Sequence, residues 1–157
     1  MTSRMVPVWQ VFDRFPRLVR DAARALGKQV DFVVEVKDVE LDRSVLDEIG
    51  DPIVHLLRNA IEACTPASIV PHLEIEGRVD DSQGTLRVTV SDNGPGIEPA
   101  MRERIFRPFF TTRSQGTGLG LALVQKIIVT HNGRITVGAS ESGGAAFQIV
   151  LPLSGRR

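Results

Sequence analysis

A chain of 157 residues with 42% hydrophobic content has enough apolar side chains for one packed core, which excludes an intrinsically disordered protein. Its 19 basic residues balance its 19 acidic ones, so no broad positive field is available to attract nucleic acid or an anionic membrane. The single cysteine, Cys64, excludes a disulfide framework, and no apolar run approaches the roughly 18 residues that a membrane span needs. A single domain over 1–157 is expected, cytoplasmic, with no nucleic-acid partner and no direct membrane insertion.

Phe15, Leu18, Val19, Ala22 and Leu26 recur at helical spacing, with Pro16 in the first turn and Gly27 as the stop. Val30, Phe32, Val34 and Val36 alternate with Asp31 and Glu35, which predicts a strand with one wet face. Asp42 opens a second helical segment that Gly50 is expected to interrupt, with Asp51-Pro52 restarting it as N-cap and first-turn proline. The restarted helix buries Ile53, Leu56, Leu57, Ala60, Ile61 and Cys64, and leaves His55, Arg58, Asn59 and Glu62 on its other face. Leu73-Ile75 and Leu86-Val88-Val90 flank a polar turn at Asp80 to Gly84 and predict a hairpin. Leu119 to Val129 predicts a helix stopped by His131-Asn132-Gly133, and a last hairpin joins Ile135–Ala139 to Ala145–Leu151. Three major helices and about five one-sided strands predict an α+β fold. The layout is a two-layer α/β sandwich, a mixed sheet with the helices on one face.

Two glycine clusters bracket the stretch from Ser91 to Ala122. Asp92 ends a strand and is followed by Asn93-Gly94-Pro95-Gly96; a carboxylate held there can accept a hydrogen bond from an exocyclic amine. Gly94 and Gly96 let the backbone come close to a flat base, although Asp-Asn-Gly by itself is an ordinary turn signal. Gly116, Gly118 and Gly120 stand before a helix, where backbone amides can hold phosphate. The spacing is G-x-G-x-G after polar residues, so neither a dinucleotide fingerprint nor a P-loop is present. Phe106, Phe109 and Phe110 between the clusters predict an apolar anchor for a lid over 97–117, and Arg107 and Arg113 are candidates either for phosphate contacts or for plain solvated surface charge. His55 and Asn59 are four apart on one helix face; the asparagine amide oxygen is a hard ligand suited to Mg²⁺. A solvated helix face explains the same pair, as a plain core explains the phenylalanines.

Four segments in order, HLLRNAIEA (55–63), DNGPGI (92–97), RIFRPFFTTR (104–113) and GTGLGLAL (116–123), resemble the N, G1, F and G2 boxes of histidine kinases. That resemblance implies the Bergerat ATP-binding fold, shared with DNA gyrase, the MutL repair ATPase and the ninety-kilodalton heat-shock chaperone. It assigns Mg²⁺ and phosphate binding to Asn59, with His55 beside it as a catalytic residue. Asp92 takes the adenine amino group and Gly96 lines the base. Gly116, Gly118 and Gly120 meet the phosphates. Ala63, Gly94, Ile97, Phe110, Thr112, Arg113, Thr117, Leu119 and Leu121 complete the ATP-binding set within the boxes. The family often has a threonine where this chain has Ala145, which removes one polar side chain near the adenine.

Met5 to Ile61, with VFDRFPRLVRD and EIGDPIVHLLRNAI, resembles the chemotaxis kinase CheA, whereas 62–157, with PFFTT and TGLGLALVQKI, resembles nitrogen-regulation sensor kinases. The expectation is a recombined chain, natural or engineered, joined near Ala60 to Pro71. The resemblance implies a catalytic domain that binds Mg-ATP and passes the γ-phosphoryl group to a histidine on an acceptor domain, in trans or in a parent chain. Alone, it is expected to be inactive. The alternatives are a nucleotide-binding module without transfer activity and a serine kinase or ATPase of the anti-sigma-factor type.

Overall fold

The computed structural model describes residues 5–25, 27, 29–36, 40–64, 70–80, 82–107 and 120–152. In chain order these form β1 (Met5–Pro7), α1 (Trp9–Phe12), α2 (Phe15–Ala25), β2 (Asp31–Val36), β3 (Glu40–Asp42) and α3 (Arg43–Cys64). They continue with β4 (His72–Asp80), β5 (Thr85–Asp92), α4 (Gly120–Thr130), β6 (Arg134–Ala139) and β7 (Ala145–Pro152). Two short 3-10 turns, Pro99–Met101 and Arg104–Phe106, lie between β5 and α4.

The main sheet has five strands in the order β2-β4-β5-β7-β6, parallel at β2/β4 and antiparallel elsewhere. Strict alternation produces its two faces: Leu86, Val88 and Val90 of β5 and Phe147, Ile149 and Leu151 of β7 are buried, while the residues between them are not. The helices α2, α3 and α4 cover that buried face, so the predicted mixed sandwich is the observed one. Two three-residue strands, β1 and β3, pair separately as an antiparallel ribbon that was not expected from the sequence. Each is too short for alternation to register.

The expected break at Gly50 does not occur: α3 runs unbroken through Gly50, Asp51 and Pro52. Its buried residues, Leu46, Ile49, Ile53, Leu56, Leu57, Ala60 and Ile61, keep one helical phase across the proline. A proline inside a helix costs about 3 kcal/mol. Each large apolar side chain buried beside it contributes roughly 1.5–3 kcal/mol, so packing wins. The stop of α4 is as predicted: Asn132 takes φ 63°, Asn132 N–H donates to Val129 O at 2.9 Å and Gly133 N–H to Ile128 O at 2.9 Å. These are the paired bonds of a Schellman stop.

Strand register fixes which termini share an end of the sandwich. Asp92 pairs with Leu73 at the start of β4, and Ser91 pairs with Ala146 at the start of β7. The ends of β5 and β6 and the starts of β2, β4 and β7 therefore lie at one end. Arg134 pairs with Val150 at the opposite end, so α4, joined to β6 by the tight stop at 131–133 and packed on it, begins at the Asp92 end. The 22 residues of α3, roughly 33 Å long, start near the far end of β2 and run back toward the Asp92 end, bringing Asn59 with them.

Candidate functional site

Asp92 is the one buried charged residue among the described residues, at 5% exposure. Its carboxylate Oδ1 accepts from Gly94 N–H at 2.9 Å and from Ala145 N–H at 3.2 Å. No described residue donates to Oδ2, which leaves that oxygen available to a ligand. Burial pushes the carboxyl above its ordinary value, while the N–H groups of Gly94 and Ala145 pull it the other way. The result is a half-satisfied carboxylate at a strand end, the arrangement of an acceptor for a neutral N–H donor.

The main chain of Asp92 is held by the β6–β7 turn. Ser140 Oγ donates to Asp92 O at 2.7 Å and Ser142 Oγ to the same oxygen at 3.1 Å. Ser140 Oγ in turn accepts Gly144 N–H at 2.9 Å. Gly96, at φ 77°, lies against this turn; a Cβ there would stand 3.1 Å from Gly143 O. Next door, Asn93 ties the strand end to the start of β4: His72 N–H donates to Asn93 Oδ1 at 2.8 Å, and Asn93 Nδ2 donates to Val70 O at 3.1 Å. The turn between β6 and β7 is legible in the sequence; its contact with Asp92 is not. The local signal was two serines within the Ser-x-Ser-Gly-Gly stretch 140–144.

The other predicted site residues are distributed as follows. His55 and Asn59 are half-buried on α3, neither in its fully buried stripe nor fully exposed, whereas Arg58 is exposed. Ala63 belongs to α3, with its side chain outside the described residues. Gly94, Gly96 and Ile97 follow Asp92 and are half-buried, and Ile97 packs against the core. Gly120 opens α4, and Leu121 packs against the core from its first turn. Phe110, Thr112, Arg113, Gly116, Thr117, Gly118 and Leu119 lie outside the described residues, as does Phe109. Within the expected lid, residues 99–106 carry the two 3-10 turns, and Ile105 and Phe106 are buried. The Phe106 ring meets Phe147 edge-on, with centroids 6.2 Å apart and planes at 88°. Of Phe106, Phe109 and Phe110, only Phe106 lies among the described residues.

No group of three or more His, Cys, Asp or Glu side chains among the described residues could hold a metal ion by itself. Among the described residues no helix is long and apolar enough to cross a membrane.

The family model for histidine kinase-, DNA gyrase B- and HSP90-like ATPases matches residues 45–155, most of α3 through the last strand. The chain belongs to this ATPase family. The chemotaxis protein CheA of Listeria monocytogenes is 33% identical over 192 aligned residues, covering 98% of this chain and 31% of that protein. The chain thus spans about a third of the length of that relative. The catalytic domain of histidine kinase ThkA superposes with a TM-score of 0.79 at 29% identity, covering 98% of this chain and 97% of that one. A mycobacterial sensor histidine kinase, MprB, gives 0.77 at 27%, covering 97% and 98%. This ATPase domain is therefore the ATP-binding catalytic module of the histidine-kinase type.

Proposed function

We propose that this ATPase domain binds Mg-ATP at the Asp92 end and presents the γ-phosphoryl group to a histidine on an acceptor domain, in trans or in a parent chain. The observation that carries the reading is the Asp92 carboxylate, with one oxygen saturated by two backbone N–H groups and the other left to a ligand. Oδ2 accepts from the exocyclic amine of adenine, and the backbone at Gly94 and Gly96 flanks the base. Asn59 offers its amide oxygen to Mg²⁺ and its amide N–H to a phosphate oxygen, with His55 one turn earlier to orient the terminal phosphate. Bound Mg²⁺ would neutralise charge on the phosphates. The N-terminus of α4, which Gly120 opens, supplies amides and the positive end of a helix dipole to the same anion. Catalysis by positioning of this kind leaves the attacking imidazole to the acceptor domain.

We also infer that the chain joins a CheA-like part, 1–61, to a sensor-kinase-like part, 62–157, by natural or engineered recombination. Two observations support this. The CheA alignment is longer than the chain itself, so that relative carries residues between the matched blocks that this chain lacks. The ThkA catalytic domain, in contrast, matches end to end at nearly full coverage of both.

The test of phosphotransfer is incubation of the domain with γ-labelled ATP and a separate acceptor-histidine domain. Acid-labile, base-stable label on the acceptor is the expected result. Tight binding of a non-hydrolysable ATP analogue with no transfer to any acceptor histidine would reduce the domain to a nucleotide-binding module.

A further inference from the structure

The ladder between β5 and β7 ends one residue short of Asp92. Ser91 pairs with Ala146, and the next pair would be Asp92 with Ala145. Instead, the donor of Ala145 goes to the side chain, on Oδ1, and the main-chain oxygen of Asp92 is taken by the hydroxyls of Ser140 and Ser142. Two serine hydroxyls thus stand in for the missing strand partner, and the carboxylate is freed to turn one oxygen outward. A carbonyl oxygen has two lone pairs, so both hydroxyls are accommodated.

We propose that Ser140 is the positioning residue of the base-reading carboxylate, setting the direction of Asp92 Oδ2 through the β6–β7 turn, with Ser142 in support. The inference rests on the base-reading role given to Asp92 above. Ser140 Oγ both donates and accepts: its proton goes to Asp92 O at 2.7 Å, it receives Gly144 N–H at 2.9 Å, and Ser142 Oγ lies 3.2 Å from it. It therefore joins the carbonyl of the strand end to the turn that supplies Ala145 N–H to Oδ1. Backbone bonds close the same turn, Ser140 N–H to Gly144 O at 2.8 Å and Gly143 N–H to Ser140 O at 3.1 Å. Residue 145 is alanine, so no side chain there can fix the carboxylate. The fixing falls to the main-chain N–H groups of Gly94 and Ala145, and that of Ala145 follows directly on the turn that Ser140 closes. Ser142, exposed and joined to Asp92 by one longer bond, is the weaker brace.

The experiment is calorimetric titration of the 157-residue domain with non-hydrolysable adenine and guanine triphosphate analogues, for wild type, Ser140→Ala, Ser140→Thr, Ser142→Ala and Asp92→Ala. Loss of one partly buried hydrogen bond predicts adenine-analogue affinity about five- to tenfold weaker in Ser140→Ala. Guanine-analogue affinity should change far less, so base preference falls. Ser140→Thr, which keeps the hydroxyl, should restore the preference. A general loss of folding would weaken both analogues alike and leave the preference intact. Wild-type preference in Ser140→Ala, with that preference abolished in Asp92→Ala, overturns the positioning role alone. Wild-type preference in Asp92→Ala removes the base-reading role and this inference with it. Should Ser140→Ala not fold, Ser142→Ala is read instead: a two- to threefold fall in preference, about half the effect of one such bond, is expected, and no fall overturns the proposal.

Discussion

Gly144 crosses the main chain of Asp92 with no space for a side chain: a Cβ on Gly144 would overlap both the Asp92 carbonyl oxygen and Oδ1. The close crossing is what lets the next residue, Ala145, deliver its N–H to the carboxylate. Packing at this point is thus inseparable from the polar geometry of the site.

Gly144→Ala should therefore act on both stability and binding. The added methyl group meets main-chain atoms, which cannot swing aside, so overpacking predicts a loss of about 1–3 kcal/mol in urea denaturation. Nucleotide affinity should fall with it, since Asp92 has to move. Unchanged stability and affinity would mean that the turn stands farther from β5 in solution.

The Asp92 carboxyl carries a pH signature of known sign. Burial raises its value in the folded protein above 3.8, so folding takes up a proton between the ordinary and the raised values. The contribution to stability is fully present below the ordinary value and is lost as pH rises through the raised one. Asp92→Asn removes that loss. The ligand-free variant should be more stable than wild type at pH 7, with the gap closing under acid conditions in melts taken across pH. In the wild type, preference for ATP over GTP should decline as pH falls through the raised value, because a protonated Oδ2 no longer accepts. Taking the ratio cancels the titration of the phosphates, which both nucleotides share. A ratio that is flat with pH would count against the adenine contact.

Asn59 and Arg58 are neighbours with opposite expectations. Asn59 is half-buried and turned toward the site in the proposed reading, whereas Arg58 is exposed. Asn59→Ala should abolish measurable Mg-ATP binding in calorimetry, a loss of at least about 100-fold if it removes both a metal ligand and a phosphate donor. Arg58→Ala should stay within about twofold, as expected for a solvated surface charge. Equal, small effects would take Asn59 out of the site.

Asn93 has a structural task. Its side chain joins His72 N–H and Val70 O, holding the entry to β4 against the end of β5. Asn93→Ala should cost about 1–3 kcal/mol in denaturant melts, without changing the preference for adenine over guanine. A changed preference with intact stability would instead move Asn93 into the ligand contacts.

Much of this protein was legible in the residues. The alternation in 73–90 and 135–151 and the helical stripes needed only local periodicity, and the sheet and its three covering helices follow from them. The four boxes, read in order, pointed to the ATPase family that residues 45–155 match. Two local signals misled or fell short. Gly50 and Pro52 read as a break because their propensities are poor, yet the buried stripe of Leu46 to Ile61 holds one helix together across them. The strands β1 and β3 have three residues each, too few for any period to show.

What the sequence determined by itself was therefore the kind of element at most positions, the family, and the identity of Asp92 and Asn59 as site candidates, because each depends on residues close together in the chain. Only the tertiary structure decided which carboxylate oxygen is free. Gly94 N–H on Oδ1 is local, but Ala145 N–H beside it, like Ser140 and Ser142 on the Asp92 carbonyl, comes from some fifty residues away and is brought there by the register of β7 on β5. A hydrogen bond requires atoms within about 3 Å, and no local pattern reports distance between residues so far apart in sequence.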